Sequence, residues 1–345
     1  MAGGQSHRDP GEEISQALRR ALFQACETSN SGLYVHAVLD PNHPVAPFDS
    51  LHPEHLRARQ LTPTWHRVDR PDLKHEPELC PLVLTVRKPQ GHGYEDEALF
   101  NDLVANALAR CASINGAYVC GWVATSYNAA ELAKHLAKRC VMAHPIAQRL
   151  AVVHPAAVQR VMPWFEPHRL ALIEAPEVLV HLLRDIVGWW FIDLAGSLRC
   201  VRPPAADPQD PVLSDPFLRS YLVHPLWHRQ ERVHQAKLIA MGLRRTGHPL
   251  PPQPEVTLDH LVRIAHEQGL RGQQDIIFFA LNCLTLSPTW YAHPAVRAAL
   301  ARKAEGDDST LADLLAGQPD SVLEAMASYH DAEADIPAAL KNKRL

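Results

Sequence analysis

Residues 117–138 read AYVCGWVATSYNAAELAKHLAK, and this one stretch contains both kinds of element that set the fold class. Its first eight residues are an apolar, β-favouring run that suits a strand. The chemistry then changes at Ser126-Tyr127-Asn128, and Asn128 is followed three residues later by Glu131. That spacing is a capping box, in which the two side chains satisfy the first free backbone N–H groups of a helix. It predicts a helix to Lys138.

Toward the N-terminus the alternation continues. Residues 95–111 return to helical period through Leu99, Leu103 and Leu108, and Asn115-Gly116 supplies a stop. Residues 81–86 read as a buried strand ended by Lys88-Pro89, and residues 33–39 as another, ended by Asp40-Pro41-Asn42. Residues 12–26 carry Ile14, Leu18, Leu22 and Phe23 on one helical face. The segment 41–79, rich in Pro, His and Arg, reads as loop with one short strand at 65–68.

Toward the C-terminus, short strands are expected at 141–143 and 150–153, then a helix with Pro155 in its first turn. A helix over 176–187 follows, and a hairpin joins 189–193 to 198–201 through Ala195-Gly196-Ser197. Residues 203–216 then hold five prolines and three aspartates, the composition of an extended linker. Beyond it every signal is helical: 217–245 kinked at Pro225, 258–268 stopped by Gly269, 274–284, and 295–303. Two short closing helices follow, one after Ser309 and one with a Ser321/Glu324 capping box. The expected architecture is α+β, with an α/β lobe over 1–205 carrying a small sheet and an all-helical lobe over 206–345.

Composition narrows the function. With 46% hydrophobic and 21% charged residues in 345, the chain can bury a core and is not a disordered one. Lys and Arg number 34 against 38 Asp and Glu, a net charge of −4, which argues against a dedicated nucleic-acid binder. The most apolar stretch, 178–198, is broken by His181, Arg184, Asp185 and Asp193, so no transmembrane helix is read. The polar leader 1–13 has no secretory pattern, and a cytoplasmic location is expected. Seven scattered cysteines lack a CxxC pair and suit buried thiols rather than a disulfide framework.

Among the 21 histidines, His224 and His228 stand at i, i+4, with His234 nearby, a spacing that presents two imidazoles to one Zn²⁺. Pro225-Leu226-Trp227 fills the gap, so the glutamate base of an H-E-x-x-H site is missing. Gly91-His92-Gly93 has Asp96 where a dinucleotide loop needs its third glycine, and neither a phosphate loop nor a G-x-S-x-G elbow occurs. Cys120 reads as packing. No catalytic residue, cofactor or metal site is therefore assigned. The candidates for protein binding are aromatic: Trp122, Trp189 and Trp190 in strand-like runs, which favour core over surface although alternation is expected to turn one of the adjacent pair outward, and Trp227, Trp290 and Tyr291 at helix ends or loops.

The order of segments resembles the adaptor, or effector-chaperone, family of the bacterial type VI secretion system. His36-Ala37-Val38-Leu39-Asp40 looks like the family's opening strand ending in Asp. Gly121 to Ser126 followed by Glu131 to Leu136 is similar to its strand and the helix ending in a His-Leu pair, and residues 150–155 to its strand entering a short helix. Ala265 to Leu270, Asp275 to Phe279 and Trp290 to Pro294 are similar to its helical ending. His36 stands where that strand carries an aromatic residue, and His154 where an Asp precedes the proline. The resemblance implies a non-enzymatic cytoplasmic protein that holds a toxic effector and loads it onto a VgrG-type spike. A metal-dependent hydrolase using the histidines is the alternative.

Overall fold

The computed structural model describes residues 10–28, 32–59, 65–91, 93–114, 116–143, 159–173, 176–204, 232–331, 334 and 336–340. The chain divides into two compact units, Met1–His228 and Arg229–Leu345. That division falls later than the one expected at 205/206. Residues 205–231 lie outside the described residues, so either boundary assigns the described chain identically. The first unit is mixed and the second helical, as the α+β reading requires.

The first unit is built on a six-stranded antiparallel sheet ordered β2-β3-β1-β4-β7-β8. Its strands are β1 (Tyr34–Leu39), β2 (Trp65–Arg67), β3 (Leu82–Arg87), β4 (Val119–Thr125), β7 (Ile186–Ile192) and β8 (Leu198–Val201). A small separate pair joins β5 (Val141–Ala143) to β6 (Gln159–Val161). The central strands β1, β3 and β4 are almost wholly buried, and the edges β2 and β8 are short and partly exposed. Short edges limit strand addition by other chains.

Period-2 alternation sends the strand residues into two cores. On one face Val35, Ala37, Leu84, Trp122 and Trp190 meet α1 (Pro10–Glu27) and α3 (Glu97–Arg110) through Leu18, Leu22, Phe100 and Leu103. On the other, Val38, Val83, Val123, Trp189 and Phe191 meet α4 (Ala129–Cys140) through Leu132 and Leu136, together with Trp164, Phe165 and Leu182. The sheet is thus covered on both faces. The capping box forms as read: Asn128 Oδ1 accepts from the Glu131 N–H at 3.0 Å, and Glu131 Oε2 accepts from the Asn128 N–H at 2.9 Å. Segment 41–79 also contains α2 (Pro53–Ala58) and two 3-10 turns.

Several expectations need correction. The helix expected over 176–187 ends at Leu182 (α6, Pro176–Leu182), because Asp185 takes a φ of +61° and turns the chain into β7. The short α5 (Pro167–Leu170) precedes it. The strand at 150–153 and the helix beginning at Pro155 lie outside the described residues. Cys200 is exposed on the edge strand, whereas Cys80, Cys120, Cys140 and Cys283 are buried; none of the seven cysteines is in a disulfide.

The second unit packs α7 (Val233–Arg245), α8 (Pro254–Glu267), α9 (Gln273–Thr285), α10 (Pro294–Ala304), α11 (Leu311–Ala316) and α12 (Asp320–Ala327). Gly269 ends α8 with a φ of +86°, and the Leu270 N–H donates back to the Ala265 carbonyl. Asp275 is buried on α9; its Oδ1 accepts from the Leu311 N–H at 2.7 Å and its Oδ2 lies 3.1 Å from Lys303 Nζ. One acid thereby ties α9, α10 and α11. Thr310 with Asp313, not Ser309, caps α11, and α12 begins after Pro319 without the Ser321/Glu324 box because Ser321 already lies inside the helix. Among the described residues no helix is long and apolar enough to cross a membrane.

Candidate functional site

The structure removes most of the aromatic candidates from the surface. Trp122 and Trp189 are 0% exposed, Trp190 2%, Trp290 1% and Tyr291 7%. Alternation does turn Trp189 and Trp190 to opposite faces of β7. Both faces carry helices, so neither ring reaches solvent. Trp189 Nε1 donates to the Cys120 carbonyl at 3.3 Å, and its ring meets Trp164 edge-on at 5.3 Å. Trp290 Nε1 donates to the Phe279 carbonyl at 3.2 Å, and Tyr291 packs against the same Phe279 ring. Trp227, His224 and His228 lie outside the described residues, and His234 is an exposed residue of α7.

What the fold does gather is a buried polar cluster at the C-terminal end of β1. Asp40 immediately follows the strand; its N–H donates to the Tyr118 carbonyl at 2.7 Å, and its Oδ1 accepts from the Asn42 N–H at 3.1 Å. The tight turn that results brings His43 back beside it. His43 Nε2 lies 3.8 Å from Asp40 Oδ2 and 3.8 Å from Glu166 Oε1, which arrives from the segment just before α5. Gly116 makes room for this ring: its φ is +94°, and a Cβ there would lie 2.4 Å from His43 Nε2. Only glycine satisfies both the left-handed backbone and that approach.

Two arginines border the cluster. Arg70 forks onto Asp72 at 3.2 and 2.7 Å, and Arg169 Nε donates to Glu166 Oε2 at 3.0 Å. Asp40 is fully buried, and burial, above all, raises its carboxyl to about 6; His43 and Arg70 pull it down, while Glu166 pushes it further up. Cys140, also enclosed, has its thiol raised by burial and is no thiolate nucleophile at neutral pH. A turn that returns a histidine to an aspartate three residues earlier is local and legible in Asp40-Pro41-Asn42-His43. The sequence reading missed it because the third member is remote.

A second feature lies on the surface of the same unit. An open groove of about 420 Å³ runs between α1, β3 and the start of α3, lined by Arg19, Arg20, Phe23, Arg87, Tyr94 and Glu97. Phe23 is 48% exposed, and the Arg87 guanidinium lies 5.2 Å from its ring centre. Arg19 is held by Glu97 and Asn101. The groove is therefore amphipathic, with an accessible aromatic face framed by mixed charge. No family model, curated protein or solved structure matches this chain.

Proposed function

We propose that this protein is a non-enzymatic adaptor that holds a toxic effector of a type VI secretion system in the cytoplasm and loads it onto the VgrG-type spike. The observation that carries the reading is the order of its segments. The stretch that resembles the family's opening strand lies in β1 and ends at Asp40, and the strand and His-Leu helix that follow are β4 and α4. In the second unit the resembling segments lie on the end of α8, the start of α9 and the turn into α10. Asp275, which belongs to that ending, has a physical task there as the buried tie between three helices.

Binding of a partner draws on burial of apolar surface. Trp122, Trp189, Trp190 and Trp290, expected to anchor it, are buried, so among the described residues contact falls to the large apolar side chains that remain exposed: Phe23, Phe48 and Val187 on the first unit, Leu286 and Leu323 on the second. Such residues scattered singly are ordinary, and the groove around Phe23 is the place where one is joined to charged neighbours. The test is co-purification of the full chain with the spike and the effector, repeated with Phe23→Asp and Leu323→Asp. If each substitution weakens one partner and spares the other, the two units divide the labour. If both leave both affinities unchanged, these surfaces are not the contacts.

A metal-dependent hydrolase remains the second reading, favoured by one observation: the Asp40, His43 and Glu166 cluster offers carboxylate and imidazole ligands together. Its enclosure weighs against substrate turnover, since a hydrolytic centre needs room for a scissile bond beside the metal.

A further inference from the structure

Asp40 Oδ2 and His43 Nε2 are both buried, face each other, and have no hydrogen-bond partner among the described residues. At 3.8 Å they stand too far apart for a hydrogen bond to each other. Buried polar atoms are almost always satisfied, so two unsatisfied atoms aimed at one point call for a third body. Glu166 Oε1 completes the triangle at 3.8 Å from His43, and the three ligand atoms lie within 4.8 Å of one another. Bonds of about 2.0–2.2 Å to a tetrahedral Zn²⁺ place ligand atoms roughly 3.3–3.6 Å apart. The two 3.8 Å pairs close with a few tenths of an ångström of side-chain movement, and the Asp40–Glu166 pair, no more than 4.8 Å apart, with at most about 1.5 Å.

We propose that Asp40, His43 and Glu166 bind one divalent transition-metal ion of the Zn²⁺ class. An imidazole nitrogen among the ligands disfavours Ca²⁺ and Mg²⁺, which take oxygen. Arg70 and Arg169 border the site without occupying its ligand atoms: Arg70 holds Asp72 through Nε and Nη2 while its Nη1 has no partner among the described residues, and Arg169 holds Oε2, the other oxygen of the Glu166 carboxylate. The His43 side chain is 18% exposed, while its Nε2 and Asp40 Oδ2 are buried. The ion's role is structural. It pins the end of β1 to the segment before α5, joining ligands from positions 40 and 166. Such an ion is bound only by the folded chain and so stabilises it. This inference does not depend on which partner the protein carries.

The test uses full-length protein without a histidine tag, in a His224→Ala/His228→Ala background that removes the histidine pair read from sequence. After chelator treatment, Zn²⁺ is titrated in competition with a chromophoric chelator. The expected result is one tight equivalent, weakened at least ~10-fold by Asp40→Asn, His43→Gln or Glu166→Gln, the scale on which even outer-shell changes weaken metal binding. Co²⁺ in the same background gives visible bands without a near-ultraviolet thiolate band, since Cys140 is not a ligand. That spectrum decides the matter even if a substituted chain fails to fold. Less than one equivalent bound, binding unchanged in variants with native circular dichroism, or a thiolate band from Co²⁺ would each overturn the proposal.

Discussion

Replacing His36 with glutamine should remove a specific acid sensitivity of the first unit. His36 is 0% exposed in the middle of the sheet, with Nε2 2.9 Å from the Tyr127 carbonyl and Nδ1 3.2 Å from the Thr85 hydroxyl. The ring is therefore neutral: Nε2–H donates to the carbonyl, and Nδ1 accepts from the hydroxyl. Burial, opposed by the Tyr127 carbonyl, lowers its pKa to about 4 from the ordinary 6.5. Between those values the unfolded chain holds more protons than the folded one, so stability is complete above pH 6.5 and is lost as pH falls. Two-state linkage with these values gives a loss of about 2 kcal/mol between pH 7.5 and 5.0, and about 3 kcal/mol by pH 4. His36→Gln keeps an N–H donor but cannot titrate. It also loses the stack on Tyr34 at 5.5 Å, a cost independent of pH.

The assay is urea unfolding followed by tryptophan fluorescence at pH 7.5 and 5.0, with chelator present, for wild type and variant. Asp40 works in the opposite sense: burial raises its pKa to about 6, so the folded chain binds that proton first and is stabilised as pH falls toward 4. That contribution, and those of the other histidines, are shared by both proteins and cancel in the difference. Wild type should lose about 2 kcal/mol more than His36→Gln over this range. Equal losses would mean that His36 is protonated in the fold and that its neutral hydrogen-bond assignment is wrong.

Gly121→Ala should cost about 3 kcal/mol or more, read as a lowered urea midpoint, because Gly121 has a φ of +138° and a Cβ there would lie 2.4 Å from the Trp190 carbonyl oxygen. Asp275→Ala strands the Leu311 N–H and takes the carboxylate partner from Lys303, whose Nζ keeps the Asp307 and Ser309 carbonyls, a loss of roughly 2 kcal/mol that thermal unfolding by circular dichroism would register. Phe23→Asp, on a half-exposed ring beside Arg87, should change the unfolding free energy by no more than about 1 kcal/mol, so that any larger loss of partner binding reports contact rather than unfolding.

The parts of the fold legible in sequence are those governed by local chemistry. The Asn128/Glu131 box and the Gly269 stop act within one helical turn, and the β7–β8 hairpin turns on adjacent residues. The strand-like runs already favour core positions for Trp189 and Trp190, but that both are covered is not legible, because it depends on α1 and α3 covering one face and α4 the other, and no neighbouring residue records that. Helix 176–182 was read too long since nothing in Asp185 announces a positive φ. The site was half legible. Asp40 and His43 share a turn, while Glu166 reaches them only through the tertiary fold.

The adaptor reading is tested most directly by purifying the full-length chain from its own cells and identifying by mass spectrometry what remains bound. The reading predicts a spike protein of the VgrG type together with one large toxin-like partner, both reduced when the exposed apolar residues of the matching unit are replaced by aspartate. Recovery of neither, from cells shown to express the secretion apparatus, would contradict it.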